Sequence, residues 1–374
     1  MNFSKFSLIS LFFIFFCNSS CSQPVTEQNP SLEEKIGQML MIGFRGFTVD
    51  DSDHIVRDLT EYHLGGVILF DYDVPTSTAE RNIRSFEQVQ NLNSQLQKIS
   101  AKELLIAVDQ EGGRVARLKP TRGFQPHVSA EYLGEIDNAD STRYYASSMS
   151  AQLEELGFNI NFAPVVDLNT NPENPVIGAI ERSFSENPEL VTKHASIFLD
   201  EFEKHGITGV LKHFPGHGSA WNDSHVGMAD VTDTWQESEL KPYENLIKSG
   251  RDFAIMTAHV FNENLDTEHP ATLSKAVQTD LLRDELEFKG VLFSDDMQME
   301  AIRSFYGLET SIKQAINAGV DILVFGNNSV YDPDIVPKAV QIILNQIKSG
   351  EIEEDRIHES YERVQALKER LSDG

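Results

Sequence analysis

Cysteine is almost absent from this sequence. Of its 374 residues only Cys17 and Cys21 are cysteines, so the chain beyond Cys21 can hold no internal disulfide, cysteine nucleophile or cysteine-based metal site. Three sequence patterns are also missing: a Walker-type phosphate loop, the Gly-x-Ser-x-Gly turn of many serine hydrolases, and a dinucleotide-binding Gly-x-Gly-x-x-Gly after a first strand. Any chemistry must therefore come from carboxylates, histidines, lysines and arginines.

Basic residues are scarce relative to acidic ones. The chain has 31 Lys and Arg against 58 Asp and Glu, and a formal net charge of -27. Such an acidic surface argues against nucleic acid and against an anionic membrane surface as electrostatic partners. It suits a neutral substrate, and we interpret most of the charge as a solvated surface. The hydrophobic share of 40% is normal for a globular protein and ample for a large core.

Long hydrophobic runs are restricted to the start of the chain. Lys5 precedes an apolar run from Leu8 to Cys17 that is too short to span a bilayer, so residues 1–20 are predicted to be a signal peptide. Cys21 follows two serines as in a lipobox, although Asn18 stands where leucine is usual. We expect cleavage before Cys21 and a lipid on its sulfur, with plain secretion and a retained anchor as the alternatives.

This leader predicts a location in the cell envelope, in the periplasm or at the outer membrane, with a secreted protein as the second choice. The lipid would be the only contact with the membrane. Residues 21–30 are polar and are interpreted as a tether to a domain over residues 31–374.

Apolar runs and amphipathic segments alternate along the rest of the chain. The predicted strands are Met39–Gly43, Gly66–Phe70, Leu104–Val108, Asn159–Val166, Thr208–Leu211, Phe253–Thr257, Gly290–Phe293 and Asp321–Phe325. The predicted helices are Ser31–Gly37, Ser77–Ser100, Asp140–Leu156, Pro188–His205, Trp235–Ser249, Ser274–Glu285, Glu300–Ala318, Asp334–Lys348 and Glu353–Leu371. Eight such units predict an α/β fold, a single-domain (β/α)₈ TIM barrel, with a doubly wound open sheet as the alternative.

Polar residues stand at the ends of six consecutive predicted strands. They are Asp109, Asp167, Lys212 with His213, His259, Asp295 with Asp296, and Asn327 with Asn328. In a barrel the carboxyl ends of the strands meet at one rim, which is where active sites lie. Any one of these residues is readily explained as a structural cap, but capping does not explain all six.

The residues by themselves leave several chemistries open. In glycoside hydrolysis, Asp295 or Asp296 would act as a nucleophile, and Asp223 with His225 as an acid/base pair. Charged groups that could hold sugar hydroxyls are Asp109, Arg114, Arg117, Arg182, Lys212 and His213.

A zinc site is the second chemistry, with His213, His217 and His225 joined by Asp223 or Asp295 as ligands. The spacing of the histidines matches no helix-borne zinc pattern, and the neighbouring Lys212 would repel a cation. The third possibility is that these residues only cap a turn rich in glycine and proline. For His217 a structural role is favoured.

The segment Lys212–Gly218, Lys-His-Phe-Pro-Gly-His-Gly, followed by Asp223-Ser224-His225, resembles the signature of bacterial β-N-acetylhexosaminidases of glycoside hydrolase family 3. Four further segments are similar to that family: Asp109–Val115 with Arg117, Arg182–Phe184, Met256–Val260, and Phe293–Met297. The resemblance covers roughly residues 31–330.

This resemblance implies an exo-acting, retaining enzyme that removes terminal β-linked N-acetylglucosamine and needs no metal or other cofactor. The nucleophile would be Asp295, and the acid/base would be His225 supported by Asp223. The residues implied in sugar binding are Asp109, Arg117, Arg182, Lys212 and His213. Larger family members carry a second domain with a glutamate acid; about fifty residues follow the last predicted strand here, so the acid is expected on the barrel.

The sequence departs from the family pattern at Trp221 and at Ala179-Ile180, just before Arg182. A β-glucosidase or another β-hexosidase on the same fold, and a non-catalytic glycan-binding lipoprotein, remain alternatives. The only expected partner is a carbohydrate with a terminal β-N-acetylglucosamine, and we expect a monomer that binds no nucleic acid.

Overall fold

The computed structural model describes Met1 and residues 29–50, 54–79, 81–224 and 227–372. The predicted signal peptide, Cys21 and His225 lie outside the described residues. Ser31–Gly374 form one compact unit. Among the described helices, none combines the length and the apolar character that crossing a membrane requires.

Eight parallel strands form the central sheet. They are β1 (Leu40–Gly43), β2 (Gly66–Leu69), β3 (Leu105–Val108), β4 (Ile160–Asn161), β5 (Thr208–Phe214), β6 (Ala254–Thr257), β7 (Leu292–Phe293) and β8 (Leu323–Phe325). Their spatial order is β7-β6-β5-β4-β3-β2-β1-β8. A parallel bridge between Phe293 and Ile322 brings β7 beside β8 and closes the sheet. The predicted (β/α)₈ barrel is confirmed.

Helices surround this barrel. They are α1 (Leu32–Gln38), α2 (His54–Thr60), α3 (Phe86–Ile99), α4 (Ala130–Ile136), α5 (Ala139–Leu156), α6 (Pro188–Lys204), α7 (Lys241–Lys248), a π-type helix Ala276–Glu285, α8 (Glu300–Ala318), α9 (Ile335–Ser349) and α10 (Glu354–Ser372). Several begin at a polar cap: Ser31 Oγ accepts from Glu34 N at 3.1 Å, and Asn138 Oδ1 from Ser141 N at 2.9 Å. These caps satisfy amide groups that the helix itself leaves without partners.

The predicted start of α3 at Ser77 is wrong, because α3 begins nine residues later, after Ser85. Backbone hydrogen bonds between Asp73 and Thr78 instead fold this part of the chain into a turn beside the barrel. The short helices α2 and α4 were not predicted. Each spans only seven residues, so packing rather than a long amphipathic pattern stabilises it.

Strand β5 continues to Phe214, three residues beyond its predicted end. Lys212 and His213 therefore belong to the strand rather than follow it. Conversely, β4 is regular only over Ile160–Asn161, although the prediction ran to Val166. The helix predicted from Trp235 begins with a 3₁₀ turn at Glu237 and becomes α7 at Lys241.

The barrel interior is filled by apolar side chains. It contains Met41, Ile68, Phe70, Leu105, Ala107, Ile160, Phe162, Val210, Ala254, Met256, Val291, Phe293, Ile322 and Val324. Val364 and Leu367 of α10 pack against the same cluster and cover its amino-terminal end. Since this end is closed by α10, a ligand can approach from the carboxyl ends of the strands.

A buried aspartate holds α10 in this position. Asp321 is fully buried just before β8 and accepts hydrogen bonds from Arg283 (2.7 Å), Arg356 (3.1 Å), Arg363 (3.0 Å) and Ser360 (2.8 Å). Burial raises the pKa of the Asp321 carboxyl, but the three guanidinium groups outweigh burial and hold it below its usual range. The carboxylate is therefore ionised at neutral pH and joins α10 to the barrel.

Asp321→Ala should lower the free energy of unfolding by about 3–5 kcal/mol, because three arginines lose a common buried partner. Asp334→Ala is the matched control, since the Asp334 carboxylate is 57% exposed and pairs with Arg57 at the surface. Urea unfolding followed by circular dichroism at pH 7 measures both. Equal losses in the two variants would contradict a structural role for the Asp321 cluster.

Candidate active site

A cavity of about 320 Å³ opens at the carboxyl end of the barrel. Its floor includes the barrel side chains Ile68, Phe162, Met256 and Val324. Six of the predicted site residues line it: Asp109, Arg117, Arg182, Lys212, His213 and Asp295. Asp223 is partly buried and is not among the described lining residues, while His225 lies outside the description.

One wall of the cavity is a network of alternating charges. Lys212, only 2% exposed, donates to Asp109 Oδ1 at 2.8 Å and lies 2.6 Å from Glu111 Oε1. Asp109 Oδ2 also accepts from Arg117 Nη2 at 3.2 Å. Arg182 forms two parallel hydrogen bonds to Glu111, each of 2.7 Å. Two carboxylates and three cations are thus paired in one continuous wall, which below we call the charged wall.

Asp109, Glu111 and Arg182 of the charged wall stay ionised around neutral pH. Burial raises the pKa of the Asp109 carboxyl, but Lys212 and Arg117 outweigh it and hold that pKa well below its usual range. Glu111 follows the same pattern, with Arg182 and Lys212 lowering its pKa. Burial lowers the pKa of Arg182, but the charge and hydrogen bonds of Glu111, together with the charges of Asp167 and Asp109, outweigh burial and raise that pKa above its usual value. Ionised donors and acceptors form the stronger hydrogen bonds, which suits them to gripping a polyhydroxylated ligand.

Sequence reasoning missed Glu111. The residue lies in Gln110–Gly112, which pairs antiparallel with Val115–Ala116 directly after β3. This small hairpin places Glu111 beside Lys212. The alternation of apolar and polar residues along the sequence does not predict that contact. The one available signal was its place in the Asp-Gln-Glu-Gly-Gly-Arg segment.

Asp167 was recognised at a strand end but was not assigned a role. Its carboxylate accepts from the backbone N–H of His213 (3.1 Å) and of His217 (2.8 Å), and from His213 Nδ1 at 2.7 Å. An Nδ1–H donated to Asp167 leaves the other ring nitrogen of His213 as an acceptor toward Arg182 Nη2, at 3.4 Å. Asp167 therefore orients the ring of His213 at the cavity wall.

Two glycines allow the chain after β5 to pass close to its neighbours. Gly216 has φ +128°, and a Cβ there would lie 2.7 Å from Glu239 Oε2. A Cβ on Gly218 would lie 1.7 Å from the carbonyl oxygen of Leu168. Larger residues at either position would push the loop away from the barrel, so the Pro-Gly-His-Gly part of the motif is a steric requirement.

His217 connects this loop to the Asp223-Ser224-His225 segment. It is 2% exposed, and its Nε2 lies 3.1 Å from Ser224 Oγ. Burial lowers the pKa of His217 to about 4, so its ring is neutral at pH 7. The neutral ring fixes Ser224, and with it the start of the predicted acid/base segment.

Asp295 and Asp296 both line the cavity but are anchored differently. Asp296 Oδ1 accepts from the backbone N–H groups of Gln298 (3.0 Å) and Gly326 (2.9 Å), joining the loops after β7 and β8. Asp295 Oδ1 accepts from Asp296 N at 2.8 Å, and Asp295 N donates to Thr257 Oγ1 at 3.3 Å. The carboxylate of Asp296 thus braces two loops.

No cluster of three or more His, Cys, Asp or Glu side chains within the described ranges is arranged to hold a metal ion. Of the predicted zinc ligands, His213 and His217 have ring centroids 5.8 Å apart; the His213 ring is hydrogen-bonded to Asp167 and the His217 ring to Ser224. His225, the third predicted ligand, is not described.

A buried carboxyl, that of Glu239, lies beside Gly216 in the loop after β5 and makes the stability of the fold depend on pH. Glu239 is 1% exposed, and burial, with the charge of Asp167 adding to it, raises its pKa to about 7 from an ordinary value of 4.5. Between these two pH values the folded protein holds a proton that the unfolded chain has lost. Folding stability must therefore fall as the pH rises through this window.

Glu239→Gln removes this titration. The stability of the variant relative to the unmodified protein should increase from pH 5 to pH 8, by up to about 3 kcal/mol. Glu237→Gln is the control, because Glu237 is exposed two residues away. Thermal unfolding at both pH values measures the difference, and a gap that does not change with pH would contradict the raised pKa.

Comparison with known proteins shows the family of this chain. The model of the glycosyl hydrolase family 3 N-terminal domain matches residues 31–367. A β-hexosaminidase of Nitrosomonas eutropha is 34% identical over 305 residues, which cover 79% of this chain and 81% of that protein. β-Hexosaminidase A of Pseudoalteromonas piscicida is 31% identical over 375 residues, which cover 90% of this chain and 61% of that protein.

Two solved structures are also similar. A family 3 β-N-acetylglucosaminidase from a Paenibacillus species has a TM-score of 0.84 and 36% identity, over 92% of this chain and 64% of that one. A β-N-acetylhexosaminidase from Beutenbergia cavernae has a TM-score of 0.80 and 27% identity, and the match covers 91% of this chain and 99% of that one. The chain thus spans less than two thirds of the Pseudoalteromonas and Paenibacillus proteins. From the match of its barrel to the family model, the chain belongs to glycosyl hydrolase family 3.

Proposed function

We propose that this protein is an exo-acting, retaining β-N-acetylhexosaminidase that removes terminal β-linked N-acetylglucosamine from glycans or cell-wall fragments. One observation carries the proposal: Asp295 and four members of the charged wall, Asp109, Arg117, Arg182 and Lys212, line the same cavity at the carboxyl end of a family 3 barrel. The printed names of the β-hexosaminidases and β-N-acetylglucosaminidases described above support the choice of sugar.

The charged wall would hold the terminal sugar. Asp109 would accept from sugar hydroxyls while Lys212, Arg117 and Arg182 donate to them, and each of these groups is already positioned by its ion pairs. His213, oriented by Asp167, would add one further contact. A volume of about 320 Å³ lies near the lower end of the range of about 300–1,000 Å³ for small-molecule sites, which fits one sugar ring better than a long chain.

In the proposed reaction, a carboxylate oxygen of Asp295 attacks the anomeric carbon as the bond to the leaving oxygen breaks. His225 gives its proton to that oxygen, so the product sugar leaves as a neutral alcohol. The neutral His225 then takes a proton from water, which attacks the glycosyl-aspartate and releases Asp295. Two displacements at one carbon retain its configuration. Asp223 would accept a hydrogen bond from the ring of His225 and stabilise its protonated form.

Substrate preference separates this proposal from the alternatives. We expect p-nitrophenyl β-N-acetylglucosaminide to be hydrolysed with a far higher kcat/KM than p-nitrophenyl β-glucoside. The reverse order would identify a β-glucosidase or another β-hexosidase. Sugar binding without turnover of either compound would identify a glycan-binding protein. Activity that disappears with EDTA and returns with zinc would contradict the metal-free mechanism.

Two variants test the double displacement. Asp295→Ala should lower kcat by several orders of magnitude, because the covalent route is lost. His225→Ala should lower kcat/KM more for methyl β-N-acetylglucosaminide than for the p-nitrophenyl glycoside, whose leaving group needs little protonation. Near-normal activity of the first variant would refute Asp295 as nucleophile. Equal losses on the two glycosides in the second would mean that His225 has no role as an acid.

We also propose that residues 1–20 are a signal peptide and that a lipid on Cys21 tethers a monomeric enzyme in the cell envelope. The support is the short apolar run after Lys5 and the Ser-Ser-Cys sequence at residues 19–21. Cys21→Ser should move the protein from the membrane fraction to the soluble fraction. An unchanged distribution would argue against the lipid.

A further inference from the structure

Two apolar side chains are exposed at the mouth of the cavity. Tyr72 is 40% exposed and Val74 is 53% exposed, and both line the cavity. They belong to residues 71–79, which follow β2 and form the turn held by the backbone hydrogen bonds between Asp73 and Thr78. Exposed aromatic and aliphatic side chains at a cavity rim are typical of a ligand-binding surface.

A buried ion cluster holds this turn in place. Asp73, between the two exposed residues, is 1% exposed and accepts from Arg45 Nε at 2.7 Å and from Arg81 Nη1 at 2.5 Å. Arg81 is itself fully buried and donates to the carbonyl oxygen of Asn327 at 2.8 Å. The cluster joins the turn to the loops after β1 and β8, and no step of the proposed reaction uses it.

Further contacts fix both ends of the turn. Lys119 Nζ lies 2.6 Å from Asp71 Oδ2, and Arg122 Nη2 donates to the carbonyl oxygens of Asp71 (3.1 Å) and Ala79 (3.0 Å). On the other side, Val74 N donates to Asn328 Oδ1 at 3.2 Å. Tyr72 and Val74 are therefore presented on a rigid support, so little conformational freedom is lost when a ligand contacts them.

The position of this turn relative to the charged wall identifies what it would contact. A terminal sugar held by the charged wall has its scissile bond near Asp295, and the rest of the substrate must extend toward the open mouth, because α10 covers the other end of the barrel. We propose that Tyr72 and Val74 form a second carbohydrate subsite, which binds the sugar ring next to the one removed. The proposal rests on the proposed function, since it takes the terminal sugar to lie in the cavity.

The chemistry of the rim fits a pyranose ring. One face of such a ring carries mainly C–H groups, which pack on the flat ring of a tyrosine, while its hydroxyls need polar partners nearby. Asn328 and Ser329 line the same cavity and supply amide and hydroxyl groups. The favoured substrate is thus an oligosaccharide rather than a single sugar linked to a small alcohol.

The test compares two substrates in Tyr72→Ala. The ratio of kcat/KM for N,N′,N″-triacetylchitotriose to that for methyl β-N-acetylglucosaminide should fall by about three- to tenfold, the effect of one lost stacking contact. The loss should lie in KM, because the contact is made equally before and during the reaction. Tyr72→Phe keeps the ring and should restore the ratio. Tyr144→Ala, which removes an exposed tyrosine of α5, is the control and should not change it.

A binding measurement tests the second subsite without relying on turnover, so its result is independent of the proposed function. Asp295→Asn should bind the trisaccharide more tightly than free N-acetylglucosamine in calorimetry, and Tyr72→Ala added to it should remove that advantage. An advantage that persists in the double variant, or a ratio of kcat/KM unchanged by Tyr72→Ala, overturns the subsite. Absence of hydrolysis in the unmodified protein together with this binding pattern would overturn the proposed function and leave the subsite standing.

Discussion

The burial of Lys212 is the constraint on which the site depends. An ammonium group taken out of water loses several kcal/mol of hydration, and it regains this only if carboxylates approach closely in good geometry. Asp109 and Glu111 do so at 2.8 and 2.6 Å, and each is in turn paired with an arginine. Removing Asp109 or Glu111 would take away one of the two carboxylates that compensate the buried charge of Lys212. The segments after β3 and β4 and the strand β5 must therefore assemble together, and their assembly produces the wall that faces the cavity.

Buried carboxylates that pair with several basic side chains occur at two other places around the barrel. Asp321 gathers three arginines at the amino-terminal end and fixes α10, so the barrel is closed there. Asp73 gathers Arg45 and Arg81 at the opposite end and fixes the turn that carries Tyr72. In each case a buried carboxylate joins loops or helices that come from distant parts of the chain. Because one end of the barrel is closed and the other is open, a ligand can enter the cavity only from the carboxyl ends of the strands.

The loop after β5 is held by two close backbone approaches, at Gly216 and Gly218, and by a hydrogen bond of the neutral His217 ring. Gly216 and Gly218 allow it to approach Glu239 and Leu168, and His217 carries the contact onward to Ser224. Because the pKa of His217 is about 4, this contact does not change in the pH range where an imidazole with an ordinary pKa would titrate. A loop with that property would suit the acid/base role that we propose for His225.

The sequence by itself determined the barrel, because apolar strands that alternate with amphipathic helices can bury their faces in few other ways. It also determined most of the polar residues around the cavity, because carboxyl ends of parallel strands share one rim and because the Lys-His-Phe-Pro-Gly-His-Gly segment is specific. Its errors were local, at α2, α4 and the start of α3, where packing outweighs helical pattern. Only the tertiary structure decided that Glu111 pairs with Lys212, that Asp167 orients His213, and that Asp73 holds Tyr72 at the mouth. Each of these depends on a distance between side chains from different segments, and periodicity along a chain carries no information about such distances.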